Sequence, residues 1–167
     1  MPFGGGLSVK GIALILVLAS AIAVSDQLIK AAVVRILSPG ESVPLISGFL
    51  YLSRVHNTGS AFGILQGQNL FLIVVVALVV GYLVWGALRG HFPGGWGRVG
   101  MGLVLGGAFG NLMDRVARGY VVDYIDFRYF PAFNLADACV VLGALALGIS
   151  ILRGKGDEAE VHRPRGA

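Results

Sequence analysis

Four long apolar runs organise the chain, over residues 11–34, 70–88, 97–113 and 135–152. A helix needs about 20 residues to cross a bilayer. The third and fourth runs reach that length only when polar neighbours at their ends are included. Polar groups must therefore sit at the membrane boundary or just inside it. The first run is interrupted by Asp26, Gln27 and Lys30. Between the runs, "RGHFPGGWGR" (89–98) is a short, turn-rich connection. The segments 35–69 and 114–134 are longer. Within them, "SVPLISGFLYLSRV" and "GYVVDYIDFRYF" are rich in β-branched and aromatic residues. Such composition predicts short strands, forming a small sheet on the membrane surface. The expected fold is a membrane all-α protein with a small β addition. It has four transmembrane helices and an extracytoplasmic β-region, in a single polytopic domain over residues 1–167.

Four spans place both termini on one side. Lys10, Arg89, Arg98, Arg153, Lys155, Arg163 and Arg165 fall there, and Lys30, Arg35, Arg54, Arg115, Arg118 and Arg128 on the other. That small excess favours cytoplasmic termini. Both long loops then lie outside the cytoplasm, and the polar tail 153–167 is expected to be disordered. Lys10 and the apolar stretch after it imitate a secretory signal peptide, with Ala21-Ile22-Ala23 as a cleavage-like site. The three later runs make an uncleaved first span the better reading. Gly102, Gly106 and Gly110 recur every four residues, a stripe that lets a neighbouring helix approach closely.

Composition agrees. The 167 residues are 56% hydrophobic and 13% charged, against about a quarter charged in soluble domains. The net charge is +4, but the cations are scattered at the flanks of apolar runs. They read as topology signals, and no nucleic-acid partner is expected. The single cysteine, Cys139, lies inside an apolar run and reads as packing. His56, His91 and His162 are dispersed and lack ligand spacing. No metal or cofactor is expected.

The informative residues are the costly polar ones at the outer boundary. In "SDQLIK", Asp26 and Lys30 are four apart with the acid first, the favourable order for a same-face ion pair on a helix. In "GNLMDRVARG", Asn111 and Asp114 share a face beside Arg115, and an intramembrane Asn needs a partner. In "YVVDYIDF", alternation sends Asp123 and Asp126 to opposite faces of a strand. Any partner for Asp123 must come from elsewhere in the chain. In "FNLAD", Asn134 is a natural N-cap and Asp137 the third helical residue, a pattern resembling a capping box. Together with Asn57, these groups converge on one membrane edge, which marks a functional site.

"SDQLIK", "HNTGSAFG", "GGAFGNLMDRVARGYVVDYIDF" and "FNLADA" occur in the order seen in bacterial lipoprotein signal peptidase, or signal peptidase II. The resemblance covers Asp26 to Asp137. It implies an aspartic endopeptidase of the bacterial cytoplasmic (inner) membrane that cleaves diacylated prolipoproteins just before the lipid-bearing cysteine. The catalytic pair falls on Asp123 and Asp137. Asp26, Lys30, Asn57, Asn111, Arg115 and Asn134 match supporting or substrate-contacting positions, and Asp114 a structural one. Membrane lipids and globomycin-type inhibitors are the other implied partners, and a monomer is expected. Ser60, Phe109 and Ala138 depart from residues frequent in relatives, without touching the pair.

Two alternatives use the same residues. A small ion or proton transporter would also place carboxylates in a membrane, but usually near the midplane and within internal repeats. A Ser–Lys peptidase would use Lys30 with Ser53 or Ser60.

Overall fold

The computed structural model describes residues 8–59, 65–92 and 94–161. Within them lie four long helices: α1 (Val9–Ile36), α2 (Asn69–Leu88), α3 (Gly94–Arg118) and α4 (Leu135–Val161). Three strands, β1 (Ser42–Ile46), β2 (Leu50–Asn57) and β3 (Val121–Asp126), form an antiparallel sheet with β2 in the centre. Both long connections thus contribute strands, as their composition predicts.

By length and composition, α1, α2 and residues Leu135–Arg153 of α4 are apolar enough to cross a membrane. Leu16, Val17, Leu70, Leu78, Leu142 and Leu145 are all exposed. So broad an apolar surface belongs against lipid and not water. The protein is integral to a membrane. Helix α3 is different. It is rich in glycine and ends in charge, and it is the innermost helix, packed between α1 and α4.

Glycine explains how α3 can sit there. One face meets α1: a Cβ on Gly106 would lie 2.8 Å from the Ala19 carbonyl oxygen, and one on Gly102 2.7 Å from Leu18 Cβ. A second face meets α4, where Gly100 opposes the Gly143 carbonyl and Gly107 the Ala136 carbonyl. The stripe 102–106–110 was legible in the sequence. The second stripe was not, because its α4 partner could not be known. Gly107→Ala should cost on the order of 1–3 kcal/mol by overpacking. Gly81→Ala in α2, with nothing within 4 Å, should cost nothing. Thermal unfolding in detergent compares the two.

The sheet rests on the ends of the helices through Val33, Leu37, Val122 and Tyr124. Arg54 of β2 donates from Nη1 to the carbonyls of Val34 (3.2 Å) and Leu37 (2.9 Å), capping the end of α1. One boundary needs correction. Helix α4 continues to Val161, where a disordered tail from residue 153 was expected. The stretch contains Lys155, Glu158, Ala159 and Glu160, good helix formers, and no proline before Pro164. Residues 162–167 lie outside the described residues.

Candidate active site

The site is built where the C-terminal half of α1, the end of α3, strand β3 and the start of α4 meet. Asp26 and Lys30 lie one turn apart on the inner face of α1, and neither side chain has any exposed surface. Lys30 Nζ is 2.7 Å from Asp26 Oδ2 and 3.0 Å from Asp114 Oδ2, and donates to Asn111 Oδ1 at 2.9 Å. Two carboxylates and one amide oxygen thus surround the ammonium. An ion pair that could have been interfacial is therefore fully buried and shared.

Asp114 ties three elements together. Its Oδ2 also accepts from Val122 N at 3.1 Å, fixing β3 to α3. Its Oδ1 accepts from Arg118 Nη1 (2.8 Å) and Gln27 Nε2 (3.3 Å). In the sequence Gln27 is only an interruption of the first apolar run, with no site role expected. Its polar side chain in an apolar run was the available signal.

The start of α4 is held from other elements at two successive residues and by its own cap at the third. Leu135 N donates to Tyr124 Oη of β3 (3.0 Å), Ala136 N to Asp26 Oδ1 of α1 (3.1 Å), and Asp137 N to Asn134 Oδ1 (2.9 Å). The amides that a helix leaves free at its start are thus used to register α4 against the rest. Asn134 N donates back to Asp137 Oδ2 at 3.2 Å, completing the expected capping box.

Asp123 projects from β3 into the same space and is 1% exposed. Its Oδ2 accepts from Asn57 Nδ2 (2.9 Å), and its Oδ1 from Asn134 Nδ2 (2.7 Å). Asp137 Oδ1 accepts from Asn111 Nδ2 at 2.7 Å. Asn134 therefore touches both carboxyl groups, Asp123 through its side chain and Asp137 through its backbone. Burial is the main reason the Asp123 carboxyl is pushed up to about 7, and the neighbouring Asp137 charge is the next. The hydrogen bonds from Asn57 and Asn134 and the Lys30 charge oppose the shift.

Arg115 is buried beside the pair, in electrostatic reach of both Asp123 and Asp137. Its Nη2 donates to the Gly59 carbonyl at 2.8 Å, while Nη1 has no hydrogen-bond partner among the described residues. Asn69, not anticipated, donates to the Arg115 backbone carbonyl at 3.0 Å. Every residue of the expected constellation thus takes part in one connected cluster.

Other candidates fall away from it. Asp126 accepts from Ser53 Oγ (2.9 Å) and Arg128 N (2.8 Å), apart from Asp123 as strand alternation predicts. Ser53 pairs with Ser42 at 2.6 Å and not with Lys30, whose ammonium is occupied. Ser60 lies outside the described residues. His56 stacks on Tyr120, His91 packs edge-on to Trp85, and His162 lies outside the described residues. A groove of about 1000 Å³ between α1, α2 and α3 is apolar and contains neither Asp123 nor Asp137.

The family model described as Signal peptidase (SPase) II matches residues 18–153, which span the whole cluster. The chain belongs to the signal peptidase II family. It is 44% identical over 124 residues to the lipoprotein signal peptidase of Halothermothrix orenii, covering 73% of this chain and 83% of that one. It is 43% identical over 143 residues to that of Lactiplantibacillus plantarum, covering 83% of this chain and 93% of its relative. A solved structure described as a bacterial membrane enzyme superposes with a TM-score of 0.81 at 28% identity. That match covers 93% of this chain and 95% of the other.

Proposed function

We propose that the protein is an aspartic endopeptidase that removes signal peptides from diacylglyceryl-modified prolipoproteins. It cuts before the lipid-bearing cysteine, with Asp123 and Asp137 as the catalytic pair. The observation that carries this reading is the frame around the pair. Carboxyl groups from a strand and from the helix that follows it are both held by Asn134, which also bonds Asn111, the second donor to Asp137, in a family of peptidases.

The chemistry follows from repulsion. Two carboxylates about 4 Å apart at an effective dielectric of about 20 repel by about 4 kcal/mol, so the pair retains one proton over a wide pH range. The ionised member takes a proton from water, which attacks the scissile carbonyl. The protonated member donates to the oxyanion or to the leaving amine. The proton belongs to the pair, and neither residue is permanently acid or base. Arg115, with a free donor, and Asn57 are suited to hold substrate backbone or lipid ester oxygens. Asp26 and Asp114 are balanced by Lys30 and Arg118, and by accepting from Ala136 N and Val122 N they position α4 and β3.

The lipid explains the location. Each buried methylene holds the substrate's acyl chains in the bilayer by about 0.8 kcal/mol. The enzyme must therefore bring its carboxyl pair to the headgroups. This reading makes α3 a fourth span in one domain, flanked by α1 and α4, with Phe109 and Met113 on its exposed apolar side. Both termini are cytoplasmic and the site opens at the outer face of the cytoplasmic membrane. The protein acts as a monomer and is blocked by globomycin.

Purified protein incubated with diacylated prolipoprotein should release the signal peptide, and globomycin should stop it. The rate should fall as pH rises through about 7, where Asp123 gives up its proton and the pair can no longer donate. Proton flux in liposomes without peptide cleavage would overturn the reading.

A further inference from the structure

At the end of the molecule away from the carboxyl cluster, α1 and α3 flank a groove of about 520 Å³. Lys10, Gly11, Leu14, Trp96, Arg98 and Val99 line it. Gly11 gives the Arg98 side chain room: a Cβ there would lie 3.1 Å from Arg98 Cδ. Arg153 of α4 stands over the Trp96 ring at 5.7 Å, adding a third cation to the same rim. Lys10 is exposed and Trp96 is 46% exposed.

Among the described residues these cations have no acidic partner. The ion pairs among the described residues all belong to the Asp26, Lys30, Asp114 and Arg118 cluster. Lys10 and Asp26 are sixteen helical residues apart, about 24 Å along α1. Six of the nine acids, Asp26, Glu41, Asp114, Asp123, Asp126 and Asp137, precede α4 or lie in its first turn. The floor of the groove, Leu14 and Val99, is apolar. A tryptophan at the rim is the side chain that prefers the headgroup layer. Cations over an apolar floor between membrane helices match a ligand with a negative head and hydrocarbon tails. A basic peptide segment would be repelled.

We propose that this groove binds an anionic membrane phospholipid, its phosphate held by Lys10 and Arg98 and its acyl chains lying along Leu14 and Val99. The site is separate from the peptidase site. The proposal requires only that α1 and α3 lie in the bilayer, and it does not depend on which residues cleave peptide.

Native mass spectrometry of the full chain in detergent tests it, with phosphatidylglycerol and phosphatidylcholine of matched acyl chains. Phosphatidylglycerol should bind about tenfold more tightly, and the preference should shrink as salt screens the cations. Lys10→Gln combined with Arg98→Gln should abolish the preference. Lys10→Gln alone, at an exposed position that does not endanger folding, should reduce it. Arg35→Gln at the far end of α1 should leave it unchanged. Equal affinity for the two lipids overturns the proposal, as does a preference that survives both Lys10→Gln and high salt. A preference appearing only after Asp157, Glu158 and Glu160 are neutralised would overturn it too, and would assign the groove to the chain's own acidic stretch.

Discussion

Asp123→Asn and Asp137→Asn should each abolish prolipoprotein cleavage, with a loss of about 10³-fold or more, because each removes half of a proton-transfer pair. The substitutions conserve volume, so the loss should not come from misfolding. For Asp123 a second measurement separates the two causes. Its carboxyl titrates at about 7 in the folded protein, against 3.8 ordinarily. Between those values the folded state holds a proton that the unfolded chain has released. Stability must therefore fall as pH rises through that window. Thermal unfolding in detergent should show this slope in the unaltered protein and lose it in Asp123→Asn. An inactive variant with a flattened pH slope is the expected result. Near-normal processing by either variant would end the proposal that these two carboxyl groups act as a pair.

Lys30→Met should have the largest effect on stability. It leaves the Asp26 and Asp114 carboxylates buried, both within 3.0 Å of where the ammonium stood. Removing one partner from a buried ionic group costs about 3–5 kcal/mol, since the remaining charge is uncompensated. The consequences should spread, because Asp26 also holds Ala136 N and Asp114 holds Val122 N. Both the start of α4 and strand β3 should loosen, and activity should fall with stability. Adding Asp26→Asn to Lys30→Met should recover part of the loss, a coupling that a double-mutant cycle reads directly. If Lys30→Met unfolds at the same temperature as the unaltered chain, the buried cluster contributes nothing.

Much of this architecture could be read from residue order. The apolar runs placed the helices and the β-branched segments placed the strands, because both signals are local and depend on period and length. The capping box of Asn134 and Asp137 was local too, and the structure contains both of its hydrogen bonds. Helix ends were less legible. α3 begins at Gly94 and reaches Arg118, and α4 continues to Val161, since hydropathy reports where lipid is tolerated and not where a helix stops.

The contacts were not legible. Lys30 meeting Asp114 and Asn111 joins residues more than eighty positions apart, as does Gln27 meeting Asp114. Residue type and its apolar surroundings were enough to show which groups were too costly to leave unpaired in a membrane, because those two set the desolvation cost. Residue order also determined that they would gather at one edge, because the spans set their depth. Which group pairs with which follows from the packing of the helices in three dimensions. The glycine faces of α3 set how closely α1 and α4 approach, and two hydrogen bonds, from Tyr124 of β3 and Asp26 of α1, set the register of α4. Angular placement around a bundle depends on packing at ångström scale, and no local pattern encodes it.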